Sequence, residues 1–182
     1  MVTLACNTGQ HLTSQLLNSY LHLNMRDICP HGYADEDLNH CAHFVSHVLN
    51  VAAGSITCRG MSATKAAGRI GVCIRVHELF AACEEVGFYK DASAGQLASG
   101  VFVFVCAKNN PVRFQPRSFQ NVPRKHVGIG LGGEIWHYSN GKDMVVTATP
   151  DDFRKHYAKQ INELYFGTFP KNSFPSSLNC GR

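Results

Sequence analysis

Cys41 is the residue of this chain best placed by type and setting to act as a nucleophile. It lies in LNHCAHFVSHVLN, residues 38–50. Asp37 and Asn39 are both good helix N-caps, and Ala53-Gly54 is a stop signal. Between them Cys41, Phe44, Val45, Val48, Leu49 and Ala52 follow helical spacing as one apolar stripe. With Asn39 as cap, Cys41 falls in the first turn, where free backbone N–H groups and the positive end of the helix dipole favour a thiolate. A free thiol titrates near ~8.5, so attack at neutral pH needs such help or a base. The competing fate is that of a small buried hydrophobe.

The base is expected from HVGIGLGGEIWHYSNGKDMVVTAT, residues 126–149. Three antiparallel strands are predicted over 126–131, 134–139 and 143–148, with turns at Gly132-Gly133 and Asn140-Gly141. A two-residue turn at Gly132-Gly133 pairs Leu131 with Glu134 and Ile129 with Trp136, and, further out, Gly128 with His137 and His126 with Ser139. Alternation then puts Val127, Ile129, Leu131, Trp136 and Tyr138 on one face and His126, Gly128, Gly130, Ile135, His137 and Ser139 on the other. The two glycines leave room on the histidine face, and the Cys41 helix is expected there. His126 would take the thiol proton. His137, Ser139 or Asn140 would fix its tautomer, and Asn39 stands beside the N–H groups that would hold an oxyanion.

These residues need elements to carry them. Residues 11–25 read as one amphipathic helix, 54–73 as a small-residue loop, and 75–86 as a helix ended by Gly87. GVFVFVCA at 100–107 is a continuous apolar run, the pattern of a central strand. Residues 108–125 form a long proline-containing connection in which Arg113, Arg117, Arg124 and Lys125 interleave with Phe114 and Phe119. This is either a solvated loop with two packed rings or a rim for an anionic or extended substrate. On the second reading Arg113, Arg117 and Trp136 are the candidate substrate contacts. Thr149-Pro150 opens a helix through 161, a last strand covers 163–169, and 170–182 is a tail. Helices first and an antiparallel sheet after give an α+β fold.

The 182 residues suit one domain, with a core over about 36–169 and extensions at 11–25 and 170–182. A hydrophobic fraction of 45% with 16% charged residues excludes a disordered chain or a coiled coil. The net charge of +4 permits an anionic partner without requiring one, and nucleic acid is not expected. Eight cysteines, at 6, 29, 41, 58, 73, 83, 106 and 180, come without a CxxC pair or a signal-peptide pattern. Reduced thiols, synthesis in a cytoplasm and no membrane insertion are the expectation.

NHCAHFVSHVL resembles the D-C-x-x-F-V pattern of the NlpC-like and CHAP-type cysteine peptidases and amidases, and HVGIGLG at 126–132 is similar to their H-V-G-I-x-L-G strand. IWH at 135–137 stands within one position of the third polar residue in the NlpC-like families. The likeness spans about 36–148; His40 replaces the usual acid before the cysteine, and SGVFVF the usual G-D-x-V-x-F. It implies a papain-like fold, no cofactor, a Cys41–His126 pair and a peptidoglycan or peptide amide as substrate. A small member without a signal peptide looks like an antibacterial effector. It would be exported by a secretion system to a target-cell periplasm and met there by an immunity protein. Two other readings stand beside this one. The same fold could deamidate a protein or transfer an acyl group to it. Alternatively, two of His40, His43 and His47, on the side of their helix away from the Cys41 stripe, could join a further ligand in a non-catalytic zinc module.

Overall fold

The computed structural model describes residues 12–29, 39–51, 53, 75–107, 110–120, 124–157, 162–171 and 173. Asp37, Ala52, Gly54, the 54–73 segment, the end of the 150–161 helix and most of the tail lie outside the described residues.

The fold is α+β, built on a six-stranded antiparallel sheet. Its strands are β1 (Val86–Phe88), β2 (Val101–Cys106), β5 (Lys125–Leu131), β6 (Glu134–Ser139), β7 (Met144–Ala148) and β8 (Leu164–Gly167). They lie in the order β1-β8-β2-β5-β6-β7. A separate hairpin is formed by β3 (Val112–Phe114) and β4 (Arg117–Phe119). Every residue of β2 is buried, because both faces of the sheet are covered. Phe102, Phe104 and Cys106 enter one core and Val101, Val103 and Val105 the other.

The first core holds α3 (Cys41–Leu49), α4 (Val76–Ala82) and the N-terminal segment against Val127, Ile129, Trp136 and Tyr138. The second holds Phe153 of α6 (Pro150–Arg154) against Ile135, Leu164 and Phe166. The short α5 (Ala94–Ser99) precedes β2.

The three-strand prediction over 126–148 is met, and Gly132 and Gly133 turn with φ of 60° and 92°, open to glycine without strain. The next connection is longer than a two-residue turn. Residues 140–143 form it, with Asp143 at φ 49° and its carboxylate bonded to the Tyr138 hydroxyl. Thr149 caps α6 through the Asp152 N–H at 3.2 Å, with Pro150 at the first helical position.

Several predicted elements are shorter or broken. The helix expected over 11–25 splits into α1 (Ser14–Asn18) and α2 (Met25–Ile28). Asn24 forms a capping box with Asp27, and between the helices the chain pairs with β7 through His22 N–H to Val145 O and Val145 N–H to Leu23 O, both 3.0 Å. Strand pairing and a cap thus outweigh the helical pattern. The Cys41 helix stops at Leu49, where Asn50 turns left-handed at φ 50°. Gly87 does not cap a helix; it pairs with Phe166 within the sheet.

Candidate active site

Cys41 is the first residue of α3, and two asparagines hold the turn before it. Asn39 Oδ1 accepts from the Cys41 N–H at 3.1 Å, and Asn140 Oδ1, from the β6–β7 connection, accepts from the His40 N–H at 3.2 Å. The Cys41 N–H is therefore engaged by Asn39, and Asn140 fastens the helix start to the sheet.

The Cys41 side chain is buried, at 1% exposure. Burial pushes its thiol up to about 12, against the opposing pull of the Val127, Ala42 and Cys41 N–H groups and the Lys125 charge. The pull toward a thiolate expected from the helix start is present but outweighed: desolvation exceeds the gain from the N–H groups. The Val127 N–H reaches this sulfur, and the β5–β6 ladder runs from Leu131↔Glu134 to Ile129↔Trp136 and goes no further. The predicted pairings of Gly128 with His137 and His126 with Ser139 are absent from that ladder.

His126 and His137 are brought together, with His126 Nε2 and His137 Nδ1 2.9 Å apart. His126 is 1% exposed and its Nδ1 is buried without a hydrogen bond. Burial, then the neighbouring His156 and His137, holds the His126 imidazole well below its ordinary 6.5. Burial and His156 lower His137 to about 4. Both rings are neutral at neutral pH. With its proton on Nε2, donated to His137, His126 carries a lone pair on Nδ1.

The two histidines share a face, as parity predicts, but α3 does not lie over it. Its apolar stripe packs on the larger Val127–Ile129–Trp136–Tyr138 face, and α6 covers the histidines. The room expected beside the glycines is filled by the sheet: a Cβ on Gly128 would meet Trp136 O at 2.8 Å, and one on Gly130 would meet Val103 Cγ2 at 2.6 Å. Cys41 therefore reaches the start of β5 from the opposite side, meeting the backbone at the residue next to His126.

Sequence reasoning missed the cover of the pair. His156 stacks on His126 with centroids 3.8 Å apart and planes 14° apart, and Phe153 lies 5.4 Å from His126 and 5.1 Å from His137. The i,i+3 spacing of Phe153 and His156 could have shown them on one helical face. Ligand atoms of His126, His137 and His156 lie within 4.8 Å of one another, but stacked rings direct their in-plane lone pairs side by side rather than at a common ion. Tyr157 and Cys106 share the electrostatic surroundings of Cys41.

The expected substrate contacts fall elsewhere. Trp136 is fully buried, and its indole N–H donates to Asn18 Oδ1 at 3.0 Å, so it is a core residue. Arg117 donates to the Glu84 carbonyl, and Arg113 is exposed on the β3–β4 hairpin, whose Phe119 stacks on Phe80 of α4 at 4.5 Å. Neither arginine enters the hydrogen bonds or electrostatic surroundings of Cys41, His126 or His137. Ser139 is half-buried opposite Met144 at the end of β6, and His137 holds the place beside His126.

No family model, curated protein or solved structure matches this chain. Among the described residues no helix is long and apolar enough to cross a membrane.

Proposed function

We propose that this protein is a cysteine hydrolase of papain-like architecture that cleaves an amide bond in the peptide stems of peptidoglycan. One observation carries the reading. The Cys41 sulfur takes the Val127 N–H, one residue from a buried His126 whose Nε2 is bonded to His137 and whose buried Nδ1 has no hydrogen-bond partner. A nucleophile, a base and a group that orients the base are the parts acyl transfer needs. The order along the chain, cysteine on a helix before histidine on a strand, agrees with the NlpC-like resemblance, which supplies the substrate class.

In this mechanism the Cys41 thiol is neutral at rest; it and the His126 ring leave opposite faces of β5, so the proton passes to His126 Nδ1 only once the start of β5 turns that ring toward α3, and the sulfur then attacks the carbonyl carbon. The tetrahedral intermediate collapses to a thioester as His126 protonates the leaving amine. Water, deprotonated by His126, then releases the acid and restores the thiol. His137 accepts from His126 Nε2 throughout and stabilises the imidazolium that forms in each half-reaction. The Val127 N–H, which meets the sulfur, is the candidate donor to the developing oxyanion. Delivery to a rival cell by a secretion system, with an immunity protein as partner, completes the proposal.

Mass spectrometry of purified peptidoglycan incubated with the protein tests it, with Cys41→Ala in parallel. New peptide fragments from the wild type alone are expected, and they identify the bond. A folded protein that gives no fragments overturns the substrate assignment and favours deamidation of, or acyl transfer to, a protein. A fully active Cys41→Ala overturns the mechanism.

A further inference from the structure

Behind Cys41 on the same helix lies a second cluster, which the hydrolase chemistry does not use. His43 and His47 stand one helical turn apart with their Nε2 atoms 3.0 Å from each other. Cys29, the residue that ends α2, reaches the His43 ring with its thiol. One ligand atom from each of Cys29, His43 and His47 lies within 4.8 Å of the other two. Cys29 and His43 are buried, and His47 is half-buried.

We propose that Cys29, His43 and His47 bind a zinc ion that fastens α2 to α3 behind the nucleophile. The donor set is the first argument: one thiolate and two imidazoles are what zinc selects, and three protein ligands leave a fourth position for water. Distance is the second. Zn–N bonds of roughly 2.0–2.1 Å and a Zn–S bond of roughly 2.3 Å place tetrahedral ligand atoms roughly 3.3–3.6 Å apart. The observed 3.0 Å between the two Nε2 atoms is a few tenths short of that edge. The surrounding residues also fit a metal. His40 Nδ1 lies 3.3 Å from His43 Nδ1, so a His43 ring bound to metal through Nε2 can donate its Nδ1–H to His40. The His40 backbone is in turn tied to Asn140.

Binding replaces the S–H bond of Cys29 with an S–Zn bond and releases one proton to solvent. The proton shared between the two Nε2 atoms moves to the Nδ1 of the same ring, so each imidazole stays neutral and the site carries a net charge of +1. Sequence spacing offered the histidines of α3 but not their sulfur partner Cys29, which lies fourteen residues before His43 at the end of another helix.

Protein purified without a histidine tag should retain close to one zinc per chain after dialysis, read by elemental mass spectrometry. Replacing zinc with Co²⁺ should give the intense visible bands of a tetrahedral site and a thiolate-to-cobalt charge-transfer band. Cys29→Ser should abolish that charge-transfer band, and His47→Gln, at the half-buried ligand, should weaken zinc binding at least tenfold. Cys41→Ala should keep both metal and bands, which separates this site from the hydrolase reading: the site stands or falls whether or not peptidoglycan is cut. A wild-type protein that takes up no zinc or Co²⁺, or a cobalt spectrum without a Cys29-dependent band, would overturn the proposal. So would equal zinc content in wild type and folded His47→Gln.

Discussion

Cys41 and His126 belong to different cores yet leave neighbouring points of the fold, and their chemistry follows from burial. A buried thiol and a buried neutral imidazole favour proton transfer during attack over a standing ion pair. His126→Ala should lower kcat nearly as far as Cys41→Ala, since the two act as a unit. His137→Ala should lower it by about 10²-fold or more, and His137→Gln should recover part of the loss by offering an oxygen to His126 Nε2. Steady-state kinetics on a peptidoglycan fragment checks both, and wild-type kcat in His137→Ala would deny it the orienting role. With Cys41 at 1% exposure, its alkylation by iodoacetamide should be much slower than that of free cysteine and should accelerate in mild denaturant. Equal rates for Cys41 and free cysteine would show the thiol to be open.

At the scale of elements, α6 is the part that the chemistry depends on and that periodicity understated. It is five residues long, and its hold on the sheet is Phe153, at 1% exposure. Phe153→Ala should destabilise the protein by about 3–5 kcal/mol, whereas Thr149→Ala, which removes only the cap, should cost about 1 kcal/mol. Chemical denaturation separates the two, and near-equal losses would mean that α6 is held by its backbone rather than its ring. Elsewhere, strands were legible and helix limits were not. The β5–β6–β7 meander follows from alternation and turn glycines, which are local. Residues 11–25 carry a helical pattern, but Val145, more than a hundred residues away, claims the backbone at His22 and Leu23.

The whole molecule couples its stability to the histidine cluster. His126, His137 and His156 all have folded pKa values below the ordinary 6.5, chiefly because burial penalises the charged ring. In the unfolded chain they protonate as pH falls through 6.5, while in the folded protein they do not. Stability is therefore fully present above pH 6.5 and is lost as pH falls toward the folded values. For His137, with a folded value of about 4, the loss is about 3 kcal/mol at roughly 1.4 kcal/mol per pH unit. Urea midpoints should fall between pH 6.5 and 4.5, and less steeply in His137→Gln. A flat profile would mean that the rings protonate in place.

The sequence by itself determined what is local or periodic. Residues 134–139 alternate because a strand must present two faces, and Gly132-Gly133 turns because glycine reaches positive φ freely. His126 and His137 share a face because both facts hold at once. Only the tertiary structure decided which face α3 covers, since that depends on where the larger apolar surface can be buried. It also brought His156 onto His126, turned Trp136 inward, and set Cys29 beside His43 and His47. Each of these is a contact between segments whose separation along the chain carries no period to read.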